Sequence, residues 1–501
     1  MLKTLTIISR KSHLAQIQAE AVGKRILKYF PKIEIKFIQK DTQGDIDLNT
    51  PLHKMPEIGV FTNDIRNELI QKNADLAVHS WKDLPVEMED GTKISATIER
   101  ADLRDILIFK KNSISKKNIS IYTSSPRRKE NLSSFLPKAL PSQPNKVKFI
   151  DIRGNISTRI KKLIRSNADG LVMAKAALDR IIEDDSAKFL KEKKEFLNFF
   201  KELNWMVLPL SENPSAPAQG ALAIETRSDD EEILKILNKI NDEKVFKSVE
   251  KERKILKEYG GGCHQKIGVS HQIIEMGEVL NLKGETEEGL RLSENSFFPK
   301  TNFIDELISE IKSIYPKKPE NSSFFDRENI EDSSNFLKEI INSGIYVSRS
   351  NALDSFNDIK ESNTIWTSGI KTWLSLSSKG LWVNGTSDSL GEIESPPENI
   401  FKKIKWYKIS HDAAPKSDKE IIPTYRLIKK ELPKEIKNVS HFYWMSFSSF
   451  EYALEKYPEI KNRNHACGLG RTFEEINTVI PGKVYPYLKY QDWLEKINQA
   501  K

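Results

Sequence analysis

The sequence predicts an α/β fold built on largely parallel sheets, and three observations lead to this fold class. Short apolar runs typical of strands, at residues 4–8 and 34–38, flank a helix-forming stretch at residues 13–29. The same alternation returns further along the chain, with strand-like runs at residues 75–80, 119–123, 148–152 and 170–174. Polar motifs rich in arginine, serine and threonine directly follow several of these runs. Strands that alternate with helices favour a parallel sheet, and the ligands of such sheets bind beyond the carboxyl ends of the strands.

Length and composition limit the class of protein. The chain has 501 residues, of which 38% are hydrophobic and 30% charged, as is typical of a soluble protein of about two to four domains. Its formal net charge of +8 is compatible with nucleic acid, a membrane surface or an acidic small molecule as partner. Because the sequence contains no arginine-rich tract, no apolar run of about 18 residues and too short an N-terminal apolar run for a signal peptide, neither nucleic acid nor a membrane is expected as partner. Two distant cysteines, Cys263 and Cys467, provide neither a disulfide framework nor a zinc site, so we expect a cytoplasmic protein without metal.

Arginines are concentrated in the polar motifs that follow the predicted strands. A guanidinium group binds a carboxylate through two parallel hydrogen bonds, and the Ser/Thr turns that start helices also attract anions. Taken singly, each arginine could be a solvated surface group, but their repeated placement at strand ends favours a ligand with many carboxylates. The candidates are Arg10, Arg100, Arg127, Arg128, Arg153, Arg159 and Arg180, with the hydroxyl groups of Ser12, Thr123, Ser124 and Ser125 beside them.

One cysteine stands in a glycine-rich loop, in the sequence Gly260-Gly261-Gly262-Cys263-His264. Three successive glycines remove side-chain bulk, so that a large group can approach the sulfur atom closely. Together with the arginines upstream, the loop indicates a covalently tethered ligand that carries many negative charges. The alternative is a buried cysteine that follows a glycine turn.

Lys82 and Asp83 place a cation beside a carboxylate at the end of the predicted strand at residues 75–80. The pair is a candidate for the active site, although an aspartate at a helix start can also serve only to stabilise the first turn. His79, in the same run, is a candidate base or a histidine satisfied by structural hydrogen bonds.

The C-terminal part of the chain has a different organisation. A polar stretch with prolines and serines predicts a linker at residues 316–342. Beyond it, residues 365–386 and 443–472 both show the order strand, Ser/Thr turn, helix, strand and Gly-Thr turn. Two such copies predict that residues 343–501 form a short bilobed α/β domain built from a duplicated half. Chance similarity between two ordinary strand–helix units is the alternative.

The motifs of residues 4–320 carry a family resemblance through their order and spacing. They are Ser9-Arg10-Lys11-Ser12, Thr42-Gln43-Gly44-Asp45, DLAVHSWKDLP at residues 75–85, Arg104-Asp105, TSSPRR at residues 123–128, RGNISTR at residues 153–159, PAQGA at residues 217–221 and Gly261-Gly262-Cys263. They resemble the porphobilinogen deaminases, also called hydroxymethylbilane synthases. The resemblance implies two periplasmic-binding-protein-like lobes and a small α+β domain that carries the cofactor cysteine, and we expect the chain to be a monomer. The implied domains are residues 1–100 with 204–228, residues 101–203 and residues 229–315.

The resemblance also implies a reaction and a cofactor. Four porphobilinogen molecules are joined, each with loss of ammonia, into the linear tetrapyrrole hydroxymethylbilane, a transferase reaction of heme biosynthesis. The growing chain is carried by a dipyrromethane cofactor bound to Cys263 through a thioether, and Asp83 matches the family's catalytic carboxylate. The resemblance assigns the carboxylates of the cofactor to Lys82, Ser125, Arg127, Arg128 and Arg159, and those of the substrate to Arg10, Ser12, Arg153, Arg159 and Arg180. The chain departs from the family pattern at Gln43, Ile58, Tyr122 and Lys266, which concerns loop behaviour and rate more than reaction type.

Residues 343–501 resemble a second family, the uroporphyrinogen III synthases. The match rests on Ser348-Arg349, Trp366-Thr367-Ser368, Pro423-Thr424-Tyr425, Trp444-Met445-Ser446 and Gly468-Leu469-Gly470-Arg471-Thr472. Tyr425 falls where that family often carries a functional tyrosine. The resemblance implies a bifunctional chain whose second domain cyclises hydroxymethylbilane to uroporphyrinogen III. A degenerate domain that only binds or stabilises is the alternative, and a non-catalytic anion-binding protein is a more remote one that leaves Cys263 and Lys82-Asp83 unexplained.

Overall fold

The computed structural model describes residues 2–42, 62–88, 90–260, 265–300, 310–319, 323–353, 359–393, 403–414 and 417–499. The chain divides into two compact units. The first comprises residues 1–137, 144–273 and 280–295, and the second comprises residues 138–143, 274–279 and 296–501. No helix in these described ranges is long and apolar enough to cross a bilayer.

Strands and helices alternate through the first 300 residues. The strands are β1 (Thr4–Arg10), β2 (Glu34–Lys40), β3 (Leu76–Ser80), β4 (Thr92–Ala96), β5 (Asp105–Lys110), β6 (Asn118–Tyr122), β7 (Lys146–Ile150), β8 (Gly170–Ala174), β9 (Leu203–Val207), β10 (Leu222–Arg227), β11 (Gly268–Ile274), β12 (Gly277–Glu285) and β13 (Arg291–Pro299). The helices are α1 (His13–Tyr29), α2 (Asn63–Ile70), α3 (Pro126–Ala139), α4 (Ile156–Arg165), α5 (Lys175–Glu183), α6 (Leu190–Phe199), α7 (Glu231–Ile240) and α8 (Glu243–Glu258).

The first sheet has the strand order β2-β1-β3-β10-β4. Strand β1 pairs in parallel with β2 and β3, whereas β10 runs antiparallel to both β3 and β4. Helices cover both faces of this sheet. Adjacent residues of a strand point to opposite faces, so they pack against different helices. Ile7 packs into a core cluster with residues of α1 and α7, while the neighbouring Ile8 packs with Ile65 and Leu69 of α2.

The second sheet has the same plan, with the order β7-β6-β8-β5-β9. Strand β6 is parallel to β7 and β8, and β5 is antiparallel to β8 and β9. Strands β11, β12 and β13 form a separate three-stranded sheet. The predicted α/β fold class is therefore confirmed. In both sheets, which have matching strand orders, polar motifs directly follow parallel strands.

The second unit contains two further sheets. Its strands are β14 (Ile314–Tyr315), β15 (Phe325–Asn329), β16 (Gly344–Val347), β17 (Thr364–Thr367), β18 (Gly385–Thr386), β19 (Trp406–His411), β20 (Glu420–Lys429), β21 (His441–Trp444), β22 (Asn464–Gly468) and β23 (Val484–Tyr487). Its helices are α9 (Glu331–Glu339), α10 (Ile370–Ser378), α11 (Phe447–Lys456), α12 (Arg471–Val479) and α13 (Tyr490–Gln499). One sheet has the order β15-β20-β19-β16-β17-β18 and the other β14-β21-β22-β23.

The chain passes between these two sheets twice. It enters at β14, which pairs with β21, and then builds the six-stranded sheet from β15 to β20 before it returns to β21. The similar segments seen in the sequence correspond to β17, α10 and β18 in one sheet and to β21, α11 and β22 in the other, each with parallel strands. Strand β15 and helix α9 lie in the range predicted as a linker.

Candidate functional site

The carboxyl ends of β1 and β3 meet at one small pocket in the first unit. Arg10 ends β1, and Ser12 caps helix α1 by accepting a hydrogen bond from the Ala15 amide at 3.4 Å. Both residues line the pocket, whose volume is about 80 Å³, together with Ser80 and Asp83. The parallel pairing of β1 with β3 brings these two segments together, as expected for ligand sites at strand ends.

Asp83 occupies the last position of a 3₁₀ turn, Trp81–Asp83, that follows β3 directly. Buried Trp81 anchors this turn, whereas the Asp83 side chain is exposed. Within the described part of the chain the Asp83 carboxylate accepts no hydrogen bond, although its negative charge attracts the positive charges of Lys82 and Arg159. It is therefore available to a ligand in the pocket.

His79 has a structural partner. Its Nε2 lies 2.9 Å from Oε2 of Glu225, which is fully buried on β10. The other oxygen of Glu225 accepts hydrogen bonds from Arg66 at 2.8 Å and from Thr92 at 2.6 Å. Burial raises the pKa of Glu225, but the contact with His79, the hydrogen bond from Thr92 and the charge of Arg66 outweigh this effect and lower it to about 2. The geometry favours the structural alternative for His79 over the base.

A buried carboxylate, Asp105 at the start of β5, organises the neighbouring site residues. Its Oδ2 accepts hydrogen bonds from Nη2 of Arg127 at 2.7 Å, Nε of Arg128 at 3.0 Å and Nδ2 of Asn213 at 2.9 Å. Its Oδ1 accepts from Nη2 of Arg128 at 2.7 Å and Nε2 of Gln219 at 2.9 Å. Burial raises the pKa of Asp105, but the two guanidinium charges lower it far below its usual range. The two arginines are thus fixed in place by a shared counterion.

Arg127 and Arg128 keep some capacity for a ligand. A guanidinium group has five N–H donors. Arg127 also donates to Asn213 at 3.2 Å and to the Pro214 carbonyl at 2.6 Å, while its buried Nε has no partner among the described residues. Arg128 also donates to the Val172 carbonyl at 3.3 Å. Each arginine therefore retains two N–H donors that no described residue occupies.

Lys82 and Ser125 lie beside this network. The Lys82 ammonium donates to Oε1 of Gln219 at 3.2 Å, so Gln219 connects Lys82 with Asp105. Burial lowers the pKa of Lys82, and the charge of Arg128 lowers it as well. Ser125 accepts a hydrogen bond from the Arg128 amide at 3.4 Å. The predicted cofactor-binding residues Lys82, Ser125, Arg127 and Arg128 are therefore brought together.

Arg153 lies in the loop after β7, and Arg159 lies in the first turns of helix α4, which follows that loop. Gly154, between them in sequence, has a φ of +111°, which a side chain would make unfavourable. Arg159 donates from Nε to the Gly154 carbonyl at 2.7 Å. Burial, followed by the charges of Arg128 and Arg153, lowers the pKa of Arg159 to about 10. Nε and Nη2 of Arg153 are buried without a partner among the described residues.

This group carries an excess of positive charge. The charges of Arg128 and Arg153 both repel that of Arg159, and Asp83 is a nearby carboxylate without a hydrogen bond from a described residue. Buried donors without partners are costly unless a ligand satisfies them. The donor set therefore fits a ligand with several carboxylates.

Arg180 and Arg100 differ in their surroundings. Arg180, on α5, donates to the Gly220 carbonyl at 2.8 Å, and burial lowers its pKa to about 10. Arg100 instead forms two parallel hydrogen bonds with buried Glu252, at 3.0 and 2.9 Å. Glu252 also accepts from the Ala218 amide, so Arg100 serves to hold the chain near Gly220 rather than to receive a ligand.

Several predicted positions lie outside the described residues, namely Cys263, Gln43 and Ile58. The predicted roles of all site residues stay predictions. Sequence reasoning gave no role to Asp105, Asn213, Gln219 or Glu225, although Asp105 and Gln219 stand within recognised motifs. A buried acid next to two arginines in a motif is the signal that could have identified Asp105.

In the second unit, Tyr425 lies on β20 and is 5% exposed. The Arg327 guanidinium carbon lies 4.7 Å from the centre of its ring, and the ring of His411 lies at 5.9 Å. The candidate tyrosine therefore lies beside one cationic side chain, Arg327, and one titratable side chain, His411.

Comparison with known proteins identifies the family. The model "Porphobilinogen deaminase, dipyromethane cofactor binding domain" matches residues 5–235. The porphobilinogen deaminase of Chlorobium phaeobacteroides is 38% identical over 274 residues, covering 54% of this chain and 79% of the relative. That of Caldicellulosiruptor saccharolyticus is 36% identical over 269 residues, covering 54% and 84%. A probable amino-acid ABC transporter extracellular-binding protein from Bacillus subtilis, with 11% identity, coverage of 51% and 97% and a TM-score of 0.26, is too dissimilar to support an inference. On the strength of its sequence relatives, this chain belongs to the porphobilinogen deaminase family.

Proposed function

We propose that the first unit joins four porphobilinogen molecules into hydroxymethylbilane with release of ammonia, on a dipyrromethane cofactor held by Cys263. The observation that carries the proposal is the exposed carboxylate of Asp83 at the end of β3, which accepts no hydrogen bond from a described residue. It lies beside arginines that still have N–H donors without a partner among the described residues. When bound, dipyrromethane supplies the pyrrole to which the first substrate is joined. The family match and the carboxylate-binding donor set both support this cofactor.

Asp83 is proposed to stabilise developing positive charge on the substrate. Loss of ammonia from porphobilinogen leaves an electron-poor ring whose N–H becomes more acidic and more strongly hydrogen-bonding. A carboxylate fixed opposite that N–H lowers the energy of the charged state most where water is excluded. The short turn anchored by Trp81 holds Asp83 at the pocket without a competing hydrogen bond from a described residue.

The arginines are proposed to orient the reacting rings through their acetate and propionate groups. Arg127 and Arg128, fixed by Asp105, hold cofactor carboxylates together with Lys82, Ser125 and Arg159. Arg10, Ser12, Arg153 and Arg180 bind the incoming substrate, and Arg159 reaches both. Rigid, bidentate binding of this kind lowers the entropic cost of bringing two reactants together.

The test replaces Asp83 by asparagine, which keeps the shape and removes the charge. We expect turnover of porphobilinogen to fall about 100-fold or more, while intact mass shows that the cofactor is still attached. The matched control is Asp41→Asn, because Asp41 is also an exposed aspartate near a strand end but is paired with Lys11 at 3.3 Å. Near-normal turnover in Asp83→Asn, or an equal loss in the control, would disprove the role of Asp83.

Attachment through Cys263 has its own test. The Cys263→Ala protein should have the mass of the bare polypeptide and no turnover. A dipyrromethane that stays covalently bound to this variant would show that another residue carries it.

The second unit is proposed to cyclise hydroxymethylbilane to uroporphyrinogen III. Two sheets with matching strand–helix–strand segments and a buried tyrosine beside Arg327 and His411 support this proposal. The experiment incubates the whole protein with porphobilinogen alone and separates the oxidised uroporphyrin isomers. Mostly type III supports cyclisation, whereas mostly type I, which forms spontaneously, would make the second unit an accessory domain.

A further inference from the structure

Two basic side chains of the second unit meet at the carboxyl ends of neighbouring parallel strands. Strand β16 ends at Val347, which pairs with Ile409 of β19. Arg349 follows β16 by two residues, and His411 is the last residue of β19. This edge of the sheet is where α/β folds place ligands.

Tyr425 is brought to the same edge by a local irregularity. The register of β19 and β20 shifts after Ser410, so that His411 lies opposite Tyr425. On the other side Tyr425 pairs with Asn329 of β15, and Arg327, two residues away, shares the face of Asn329. From this diagonal position the Arg327 guanidinium reaches over the Tyr425 ring at 4.7 Å.

These side chains have unused hydrogen-bonding capacity. Nη1 of Arg327 and Nδ1 of His411 are buried and have no partner in the described part of the chain. The Tyr425 hydroxyl likewise makes no hydrogen bond to a described residue. Leaving a buried polar group unsatisfied costs about 1–3 kcal/mol, so such a cluster is expected where a ligand supplies the partners.

The charge of the cluster is also unbalanced. Neither Arg327 nor Arg349 forms an ion pair with a described carboxylate. The nearby Asp412 lies 3.8 Å from Nε of Arg426, a side chain on the opposite face of β20 from Tyr425. Burial, together with the charge of Arg349, lowers the pKa of His411 in spite of Asp412. The cluster therefore offers positive charge and N–H donors to an anion.

Arg349 also connects the two sheets of this unit. Its Nη2 donates to the Met445 carbonyl at 3.0 Å, and Met445 follows the end of β21 in the other sheet. A ligand bound by Arg349 would therefore lie at the strand ends of both sheets. That position suits an extended molecule with several anionic side chains better than a single small ion.

We propose that Arg327, Arg349 and His411, with the Tyr425 hydroxyl, form a subsite that binds a carboxylate side chain of the tetrapyrrole. The inference rests on the proposed function of the second unit and names the groups that recognise its substrate. A purely structural Arg327–Tyr425 stacking pair is the competing explanation. It predicts a change in stability but none in ligand affinity.

The test titrates the full-length, cofactor-loaded protein with uroporphyrin III, an octacarboxylate, and follows the porphyrin fluorescence. Arg327→Gln and Arg349→Gln should each lower the affinity of one class of binding site for uroporphyrin III about 10-fold to 100-fold. This is the effect expected from the loss of one charge-assisted hydrogen bond. Any porphyrin site in the first unit keeps its affinity in these variants. The matched control is Arg426→Gln, which removes an arginine from the same strand as Tyr425 but from its opposite face, and it should bind like the parent protein.

Comparison with the isomer assay separates this inference from the cyclase proposal. If the parent makes only type I uroporphyrin while the two variants still lose affinity, the subsite stands and the cyclase proposal fails. If the parent makes type III and both variants bind uroporphyrin III like the parent, the subsite is overturned and the cyclase stands. Thermal melting of each variant shows whether the fold is intact, and Tyr425→Phe, which removes only a hydroxyl, repeats the test if an arginine variant fails to fold.

Discussion

Replacing Asp105 by asparagine would test how the arginines of the first unit are held. Asp105 is completely buried, and its two oxygens accept hydrogen bonds from Arg127 and Arg128, which are 3% and 8% exposed. The asparagine keeps the shape but removes the negative charge, so two buried guanidinium groups lose their shared counterion. Breaking a buried ion pair from one side costs about 3–5 kcal/mol. We expect the first unit to lose about this much stability.

The assay must report on one unit, because a chain with two units need not unfold in a single step. Hydrogen exchange of the slowest amides in β5 meets this need. At about 1.4 kcal/mol for each factor of ten, these amides should exchange about 100-fold to 4,000-fold faster in Asp105→Asn.

The control for this prediction is Asp151→Asn. Asp151 forms an ion pair of the same length, 2.7 Å, with Lys129, but its side chain is 62% exposed. Exposed pairs contribute at most about 1 kcal/mol, so exchange should accelerate by less than about 5-fold. Equal effects of the two substitutions would refute the argument that burial makes the Asp105 charge indispensable.

Two further predictions concern the first unit. Burial raises the pKa of Glu225, but the contact with His79 lowers it to about 2 against an ordinary value of 4.5, so the folded state holds this proton more weakly than the unfolded one. Its stabilising effect, up to roughly 3 kcal/mol, is complete above pH 4.5 and is lost as the pH falls towards 2. Urea unfolding should therefore show a shallower acid dependence in Glu225→Gln, and an unchanged dependence would contradict this. At Gly220 an added Cβ would lie 2.3 Å from the Ala101 carbonyl oxygen. Gly91 also has a positive φ, but there no described heavy atom lies within 4 Å of the added Cβ. Gly220→Ala should lower the melting temperature more than Gly91→Ala, and equal losses would show that backbone conformation alone decides.

The fold and the position of the site could be predicted because both depend on local patterns. Apolar runs alternate with helical segments, and the polar motifs follow the strands directly, so Arg10 and Asp83 were expected at one sheet edge. The structure brings them to one pocket. Local sequence also shows which residues cap helices, as Ser12 does.

Partners that are distant in sequence could not be predicted in the same way. Asp105 is joined by Asn213 and Gln219, which are more than 100 residues away in the sequence. Pairing of this kind depends on how β10 returns to the first sheet, and no local pattern specifies it. Strand β15 was missed for another reason. It is short and polar, with little of the apolar alternation that marks a strand.

The order of the first sheet has a consequence for biosynthesis. Strand β4 hydrogen-bonds only to β10 within this sheet, and β10 begins about 130 residues later in the chain. At about 5–20 residues per second, a ribosome needs on the order of ten seconds to supply it. Throughout that interval β3 presents an open edge to other nascent chains. A chaperone that binds exposed strands would therefore find an open edge on this chain while the second sheet, β5 to β9, is being synthesised.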